Sequence, residues 1–261
     1  MSEIEEVEKL VMNSGNSFHC KVLNYLKAKG WTVLISPYYH DNVSDKPREI
    51  DLIAEKAFPI SKPLARHPQG TINIKLFIEC KYVPQKIVFW FHDKDKDLAE
   101  ELVIRSTRLS KGNSYTKQHH YLNGNDRVAK LFASESKKSE ENEIIYKALN
   151  QSLNAMVYFS RVGSILPTTT VKTLNSINYP VIVCNSFSTF YKVDVDSETK
   201  PSSINDHFQL EVLYAYTDTN EKQRTDYFLI DVLDFQKMDG FLDSLQSDVK
   251  AISEVLLYSQ R

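Results

Sequence analysis

Two early stretches organise the hydrophobic pattern of this chain: Glu49-Ile50-Asp51-Leu52-Ile53-Ala54 and Ile74-Lys75-Leu76-Phe77-Ile78-Glu79-Cys80-Lys81. Both are dense in β-branched and aromatic residues and bounded by Pro- and Gly-containing turns, so both predict strands. Strand side chains alternate between faces. Glu49 and Asp51 therefore share one face, and Glu79 and Lys81 share another with Ile78 and Cys80 behind them. Helical spacing predicts a short helix over residues 2–12, with Ile4, Val7, Leu10 and Val11 on one side. A second helix is capped by Ser17, carries Phe18, Val22, Tyr25 and Leu26, and stops at Gly30. Residues 31–36 predict the first strand, and residues 41–47 a polar turn. Residues 55–73, with three prolines, read as a long connection. Residues 86–91 predict a strand too apolar to be exposed, either buried or at an interface.

Further on, residues 98–109 predict a helix, and residues 110–138 have the least regular pattern. Ser139-x-x-Asn142 opens a helix reaching about Phe159. Residues 179–185, 208–216 and 227–233 predict strands, and residues 238–260 a closing amphipathic helix. Together these elements predict an α/β protein with a central mixed β-sheet flanked by helices. No linker separates residues 187–261, which are expected to extend the same sheet, so residues 1–261 read as a single domain.

Composition narrows the options. A net charge of −2 excludes a bulk polycation, so any nucleic-acid site must be a local patch. No apolar run approaches the ~20 residues of a membrane span, and the acidic N-terminus is unlike a signal sequence. Cys20, Cys80 and Cys184 lack CxxC spacing and read as reduced thiols of a cytoplasmic protein. Phosphate-cradling glycine loops, HExxH and GxSxG are all missing from the sequence.

Charges on strands that otherwise bury apolar side chains cost free energy unless they are paired or bind a metal. Two carboxylates on adjacent strands suit Mg²⁺, which takes one or two carboxylates plus phosphate oxygens. A lysine two residues after a ligand points the same way, where it can orient or deprotonate water or offset developing charge. The tripeptide alone is unspecific, because Glu135-Ser136-Lys137 and Glu198-Thr199-Lys200 match it in polar surroundings. Only Glu79-Cys80-Lys81 ends an apolar strand that follows an Asp-bearing strand and an amphipathic helix.

In that order, Asp51 and then Glu79-Cys80-Lys81 resemble the D…(D/E)-x-K signature of the restriction-endonuclease-like PD-(D/E)XK nuclease superfamily. Phe18-His19-x-x-Val22-x-x-x-Leu26-x-x-x-Gly30-Trp31 is similar to the first helix of its Mrr-like and Holliday-junction-resolvase-like branches. The resemblance covers residues 14–82 well and residues 140–186 by order of elements. It implies an αβββαβ core over about residues 14–91 and 139–186, an insertion at 92–138, and a C-terminal strand-strand-helix extension at 187–261. It implies a Mg²⁺-dependent DNA endonuclease, with Mn²⁺ able to substitute, serving restriction, phage defence or DNA processing. Asp51 and Glu79 would hold the metal with the Cys80 or Ile78 carbonyl, Lys81 would position or activate water, and Glu49 would assist. A homodimer is a further implication. One departure stands out: His19 occupies the place of a glutamate common in those branches. Either Glu49 takes part of that role or the helix contribution is lost, with His19 an ordinary helix histidine.

Other residues are candidates with bland alternatives. Tyr38, Tyr39 and His40 would stack or hydrogen-bond at a nucleic-acid groove, or pack on the core. Arg48 would meet a phosphate, or a local carboxylate. Lys147 and Gln151, one helical turn apart, would reach the site. Lys62, Arg66 and His67 would contact backbone, or lie in a solvated hairpin. Residues 86–91 or 110–138, the latter with His119-His120-Tyr121, would dock a protein partner. Two other classes stay open: a catalytically silent nucleic-acid-binding or assembly module, and an effector subunit activated by a partner.

Overall fold

The computed structural model describes residues 3–13, 15–41, 46–63, 65–134, 143–160, 163–167, 171–196, 200–217 and 222–258. The helices are α1 (Glu3–Asn13), α2 (Gly15–Ala28), α3 (Lys96–Ser106), α4 (His120–Asn123), α5 (Glu143–Phe159) and α6 (Met238–Tyr258). The strands are β1 (Thr32–Ile35), β2 (Tyr38–His40), β3 (Pro47–Glu49), β4 (Leu52–Ile60), β5 (Gly70–Lys81), β6 (Ile87–Asp93), β7 (Arg127–Ser134), β8 (Thr173–Cys184), β9 (Phe190–Asp194), β10 (Ser202–Ser203), β11 (Phe208–Thr217) and β12 (Gln223–Asp234). Ten of them form one mixed sheet in the order β1-β4-β5-β8-β12-β11-β7-β6-β9-β10, while β2 and β3 form a separate ribbon. The chain is therefore α/β, with helices flanking a large mixed sheet. No helix among the described residues is long and apolar enough to cross a membrane.

β5 lies inside the sheet, antiparallel to β4 and parallel to β8. That position explains its long run of buried residues from Ile72 to Glu79. The expected connection over residues 55–73 is mostly strand, because β4 continues to Ile60 and β5 begins at Gly70. Pro59 is tolerated there because β1 pairs with β4 only as far as Glu55, leaving an edge that needs no donor. The irregular stretch over residues 110–138 also gains structure from its surroundings. A 3₁₀ turn at Thr116–Gln118 leads into α4, and β7 inserts into the sheet between β6 and β11. Residues 92–134 are thus part of the sheet architecture rather than an appendage. Lys137, Lys138 and the expected helix start at Ser139 and Asn142 lie outside the described residues, as do residues 42–45 of the polar turn.

The apolar segment at 86–91 finds its partners within the sheet. β6 pairs with β7 and with β9, and Ile87, Phe89 and Phe91 are buried. Its hydrophobicity is accounted for without a docked protein.

Register fixes which side chains share a face. Glu79 is level with Ile182 of β8, which is level with Val232 of β12. Asp231 is level with Val181, one residue out of step, and so points to the opposite face. Phe77 shares the face of Glu79 and contacts the Phe159 ring of α5 at 6.4 Å between centroids. Helix α5 covers that side of β5, and α6 supplies Asp248 to the other.

The predicted continuous strand over residues 49–54 is broken at Ile50 and Asp51. Ser36 has a φ of 48°, in the left-handed region, immediately before Pro37. Its N–H donates to the Asp51 carbonyl at 2.9 Å, and Ile50 N–H donates to the Pro37 carbonyl at 3.3 Å. These bonds turn the β1–β4 hairpin into the β2–β3 ribbon at the position of Asp51. Left-handed backbone in a β-branched residue costs about 1–3 kcal/mol. Ser36→Val is expected to lower unfolding stability by about that much in urea titration, whereas Ser36→Gly is expected to be neutral or stabilising. Equal stability of the valine variant would show that the bend does not depend on the positive φ.

Candidate active site

The end of β5 and the bend before β4 bring Asp51, Glu79 and Lys81 together. Lys81 Nζ lies 2.6 Å from Glu79 Oε2 and 3.9 Å from Asp51 Oδ2. The Cys80 backbone N–H donates to Asp51 Oδ2 at 2.7 Å, which anchors the bend to β5. Glu79 is fully buried, while Asp51 and Lys81 retain partial exposure. The second carboxylate oxygen, Glu79 Oε1, is buried without a hydrogen-bond partner. Burial pushes Glu79 up to about 8; Lys81 opposes this and the Asp51 charge adds to it. For Lys81, burial pulls downward, but Glu79 and Asp51 outweigh it and hold the ammonium above its usual value.

A second buried carboxylate nearby shows what saturation looks like. Glu55 Oε1 accepts from Asn73 Nδ2 at 3.3 Å and Ser164 Oγ at 2.7 Å, and Oε2 accepts from Ile165 N–H at 2.8 Å. Lys75 Nζ stands 3.7 Å from it and donates to the Gly163 carbonyl at 3.1 Å. Every oxygen of Glu55 is used, and the pair ties the segment after α5 to the sheet. Glu79 keeps one oxygen open, as a ligand-holding carboxylate requires.

The remaining candidates separate. Glu49 sits in the ribbon opposite Tyr38, and its carbonyl accepts from Gln151 Nε2 at 3.1 Å. The break at residues 50–51 puts Glu49 in the ribbon and Asp51 in the bend ahead of β4, so the single strand that would give them a shared face is not formed. Gln151 also accepts from the Tyr39 hydroxyl through its backbone carbonyl at 3.4 Å, so it staples the ribbon to α5. Arg48 Nε donates to the buried Asp41 at 2.6 Å, the local ion pair rather than an unpaired phosphate clamp. Tyr39 is buried, and its hydroxyl is raised above the usual range by burial and the Glu79 charge. Tyr38 is 71% exposed, and His40 and Lys147 are exposed. His19 has its Nε2 buried without a partner. Burial holds the Cys80 thiol protonated, which leaves its carbonyl as the ligand atom the sequence suggested.

Sequence reasoning missed a second ionic centre on the opposite face. One ring nitrogen each of His119 and His120 and an Asp248 oxygen lie within 4.8 Å of one another, a spacing that could gather a metal. Tyr121 N–H donates to His119 Nδ1 at 3.2 Å, however, which places the ring proton on Nε2. That proton faces the Tyr179 hydroxyl at 3.1 Å, which itself donates to Asp248 Oδ2 at 2.9 Å. A metal on Nε2 would need the other tautomer and would break the α4 cap. His120 uses both ring nitrogens, Nδ1 toward Asp248 and Nε2 toward Asp231 at 3.3 Å. Burial alone would lower His120, but Asp248 and Asp231 outweigh it and hold the ring at about 10. Burial lowers His119 to about 4. The centre is therefore an imidazolium between two carboxylates beside a neutral histidine, and it joins α4, α6, β8 and β12. The adjacent His-His-Tyr in the sequence hinted at it; Asp231 and Asp248 carried no signal until the fold placed them there.

No protein-family model, no curated protein and no solved structure matches this chain.

Removing one partner of a buried ion pair costs about 3–5 kcal/mol, so His120→Gln is expected to destabilise the fold by that amount. His120 sits above its ordinary 6.5, so its contribution is complete below about 6.5 and is lost as pH rises through about 10. His119 and Asp248 are lowered, so their contributions fade at acid pH, that of His119 as pH falls through about 4. Lys94, lowered by burial to about 8, runs the other way in alkali, so the wild-type-minus-variant difference is the quantity to follow. That difference should shrink steadily from about pH 7 to pH 10 in denaturant titrations. A difference that stays constant would show that His120 is not held as a cation.

Proposed function

We propose that this chain is a metal-dependent nuclease that hydrolyses phosphodiester bonds of DNA at Asp51, Glu79 and Lys81. The observation that carries this reading is the open, fully buried Glu79 Oε1, held beside a partly exposed aspartate and a lysine. The order α2, β1, β4, β5, α5, β8, with β1-β4-β5-β8 adjacent in the sheet, supports a restriction-endonuclease-like core. The donor set is of the kind Mg²⁺ takes: the Asp51 and Glu79 carboxylates would hold it, with the Cys80 carbonyl as a further oxygen. Bound Mg²⁺ supplies acidified water and offsets charge on the phosphodiester.

The chain's own residues do the rest. Cys80 N–H fixes the Asp51 carboxylate against β5. Lys81 is held protonated by two carboxylates, so it acts as a donor that orients water and steadies charge on the phosphate, rather than as a base. Glu79 is placed by a strand that cannot shift without breaking the pairing on both of its sides.

Nicking of supercoiled plasmid in Mg²⁺ or Mn²⁺, stopped by EDTA, is the direct test. Asp51→Asn and Glu79→Gln are expected to fall to background, and Lys81→Ala by about 10²–10³-fold. Cutting that survives all three changes would move the chemistry elsewhere. A folded wild type that cuts nothing would leave a silent nucleic-acid-binding or assembly module, or an effector subunit activated by a partner. A second prediction follows from the raised Glu79. Its proton must leave when a metal enters, so Mn²⁺ affinity measured calorimetrically is expected to rise about tenfold per pH unit up to about 8 and then flatten. Glu79→Gln should remove that slope; a slope that persists in the variant would assign the proton to another group.

A further inference from the structure

A cleft of about 710 Å³ opens between α5 and β11, with the β2–β3 ribbon as a third wall. It is joined to the candidate centre through the ribbon and α5, while Asp51, Glu79 and Lys81 do not line it. Gln151 lines it and is bonded to the Glu49 carbonyl, two residues before Asp51. Asp41 and Arg48 of the ribbon region also line it, while the ribbon's Tyr39 feels the Glu79 charge. The volume falls in the range of ligand clefts, about 300–1,000 Å³.

The walls indicate the chemistry of the occupant. Tyr146 of α5 is 59% exposed and lines the cleft, so its ring is presented to whatever enters, while Val212 and Tyr214 line it from the face of β11 that looks toward α5. Asn150 uses one amide hydrogen on the Tyr146 carbonyl at 2.9 Å, which leaves its oxygen for the cleft. An aromatic wall with a carboxamide edge suits a flat, hydrogen-bonding ring. The cleft is not a strongly cationic, phosphate-gripping groove: only Arg48 and Lys147 among its lining residues are basic, Arg48 is neutralised by Asp41 at 2.6 Å, and the whole chain carries −2. Binding to closed duplex draws mainly on phosphate contacts from unpaired Lys and Arg. Binding to single strands draws on stacking, which needs little net charge.

We propose that this cleft holds a nucleobase, so that the strand presented to Asp51, Glu79 and Lys81 is unpaired: single-stranded nucleic acid, or a base extruded beside the scissile phosphate. This rests on reading those three residues as a nuclease centre. It goes further by naming the form of the substrate.

The test is fluorescence anisotropy of the full chain in EDTA, where nothing is cut. The probes are labelled single-stranded DNA, single-stranded RNA and blunt duplex DNA of one sequence. Single strands are expected to bind tighter than duplex. Tyr146→Ala is expected to weaken single-strand binding by about 5- to 150-fold, the span of one lost base–aromatic stack. Tyr146→Phe, which keeps the ring, should bind like wild type, and both variants alter an exposed side chain, so thermal unfolding should match wild type. Preference for DNA or for RNA would assign the sugar and support the cleft either way. Equal binding of duplex, no binding of single strands, or no change in Tyr146→Ala would overturn the proposal. The plasmid assay separates the two readings. Tyr146-dependent single-strand binding without cleavage would retain the cleft and remove the nuclease. Duplex cleavage that ignores Tyr146→Ala would do the reverse.

Discussion

Glu79 imposes the constraint on which the structure around it depends. Its carboxylate is fully buried on a strand that is hydrogen-bonded on both sides, so neither water nor a shift of backbone can relieve it. A charge in that position must be compensated from its own face. Lys81 comes from two residues along the same strand, and Asp51 comes from the bend into β4. The Cys80 N–H holds Asp51 in place, and the left-handed Ser36 makes the bend. The compensation is incomplete: one oxygen is left open, and the protonated form is favoured up to about 8. An incomplete site of this kind costs stability and is useful only where something else completes it.

The other buried ionic groups make the contrast. Glu55 and Lys75 are saturated by side-chain and backbone partners. The Asp248–His120–Asp231 bridge is likewise closed, with Tyr179 and Gln209 completing its bonds. Both connect helices or loops to the sheet, and neither leaves a carboxylate oxygen open to a ligand. Polar burial alone therefore does not distinguish a site from a staple; Glu79 Oε1 is set apart as the one buried carboxylate oxygen among the described residues that has no partner. The two ionic centres also occupy opposite faces of the sheet, so a change at one acts on the other only through β5, β8 and β12.

The ribbon of β2 and β3 links the centre to the cleft. It is fastened to α5 by Gln151 and Tyr39, and it carries the Arg48–Asp41 pair that quenches positive charge at the cleft wall. A surface built this way offers rings and amides with Lys147 as its one basic side chain besides the paired Arg48, which bears on the form of nucleic acid it can accept.

Much of this was legible in the sequence. The apolar alternation in residues 74–81 marked β5 and put Glu79 and Lys81 on one face, because strand periodicity is local. The helices at residues 3–13, 15–28, 143–159 and 238–258 followed from their apolar stripes for the same reason. What local pattern could not decide was pairing. β7 is recognisable as a strand only because β6 and β11 flank it, and β4 runs through Pro59 only because β1 has ended. Glu49 is parted from the Asp51 position by a bend made by residues 36 and 37, a dozen positions earlier. The closed His120 centre needed Asp231 and Asp248, which lie more than a hundred residues away and join it through the fold. The sequence alone determined which strands carry charge; whether each charge is paired, saturated or left open was settled by tertiary structure, because compensation comes from residues that only the sheet brings within reach.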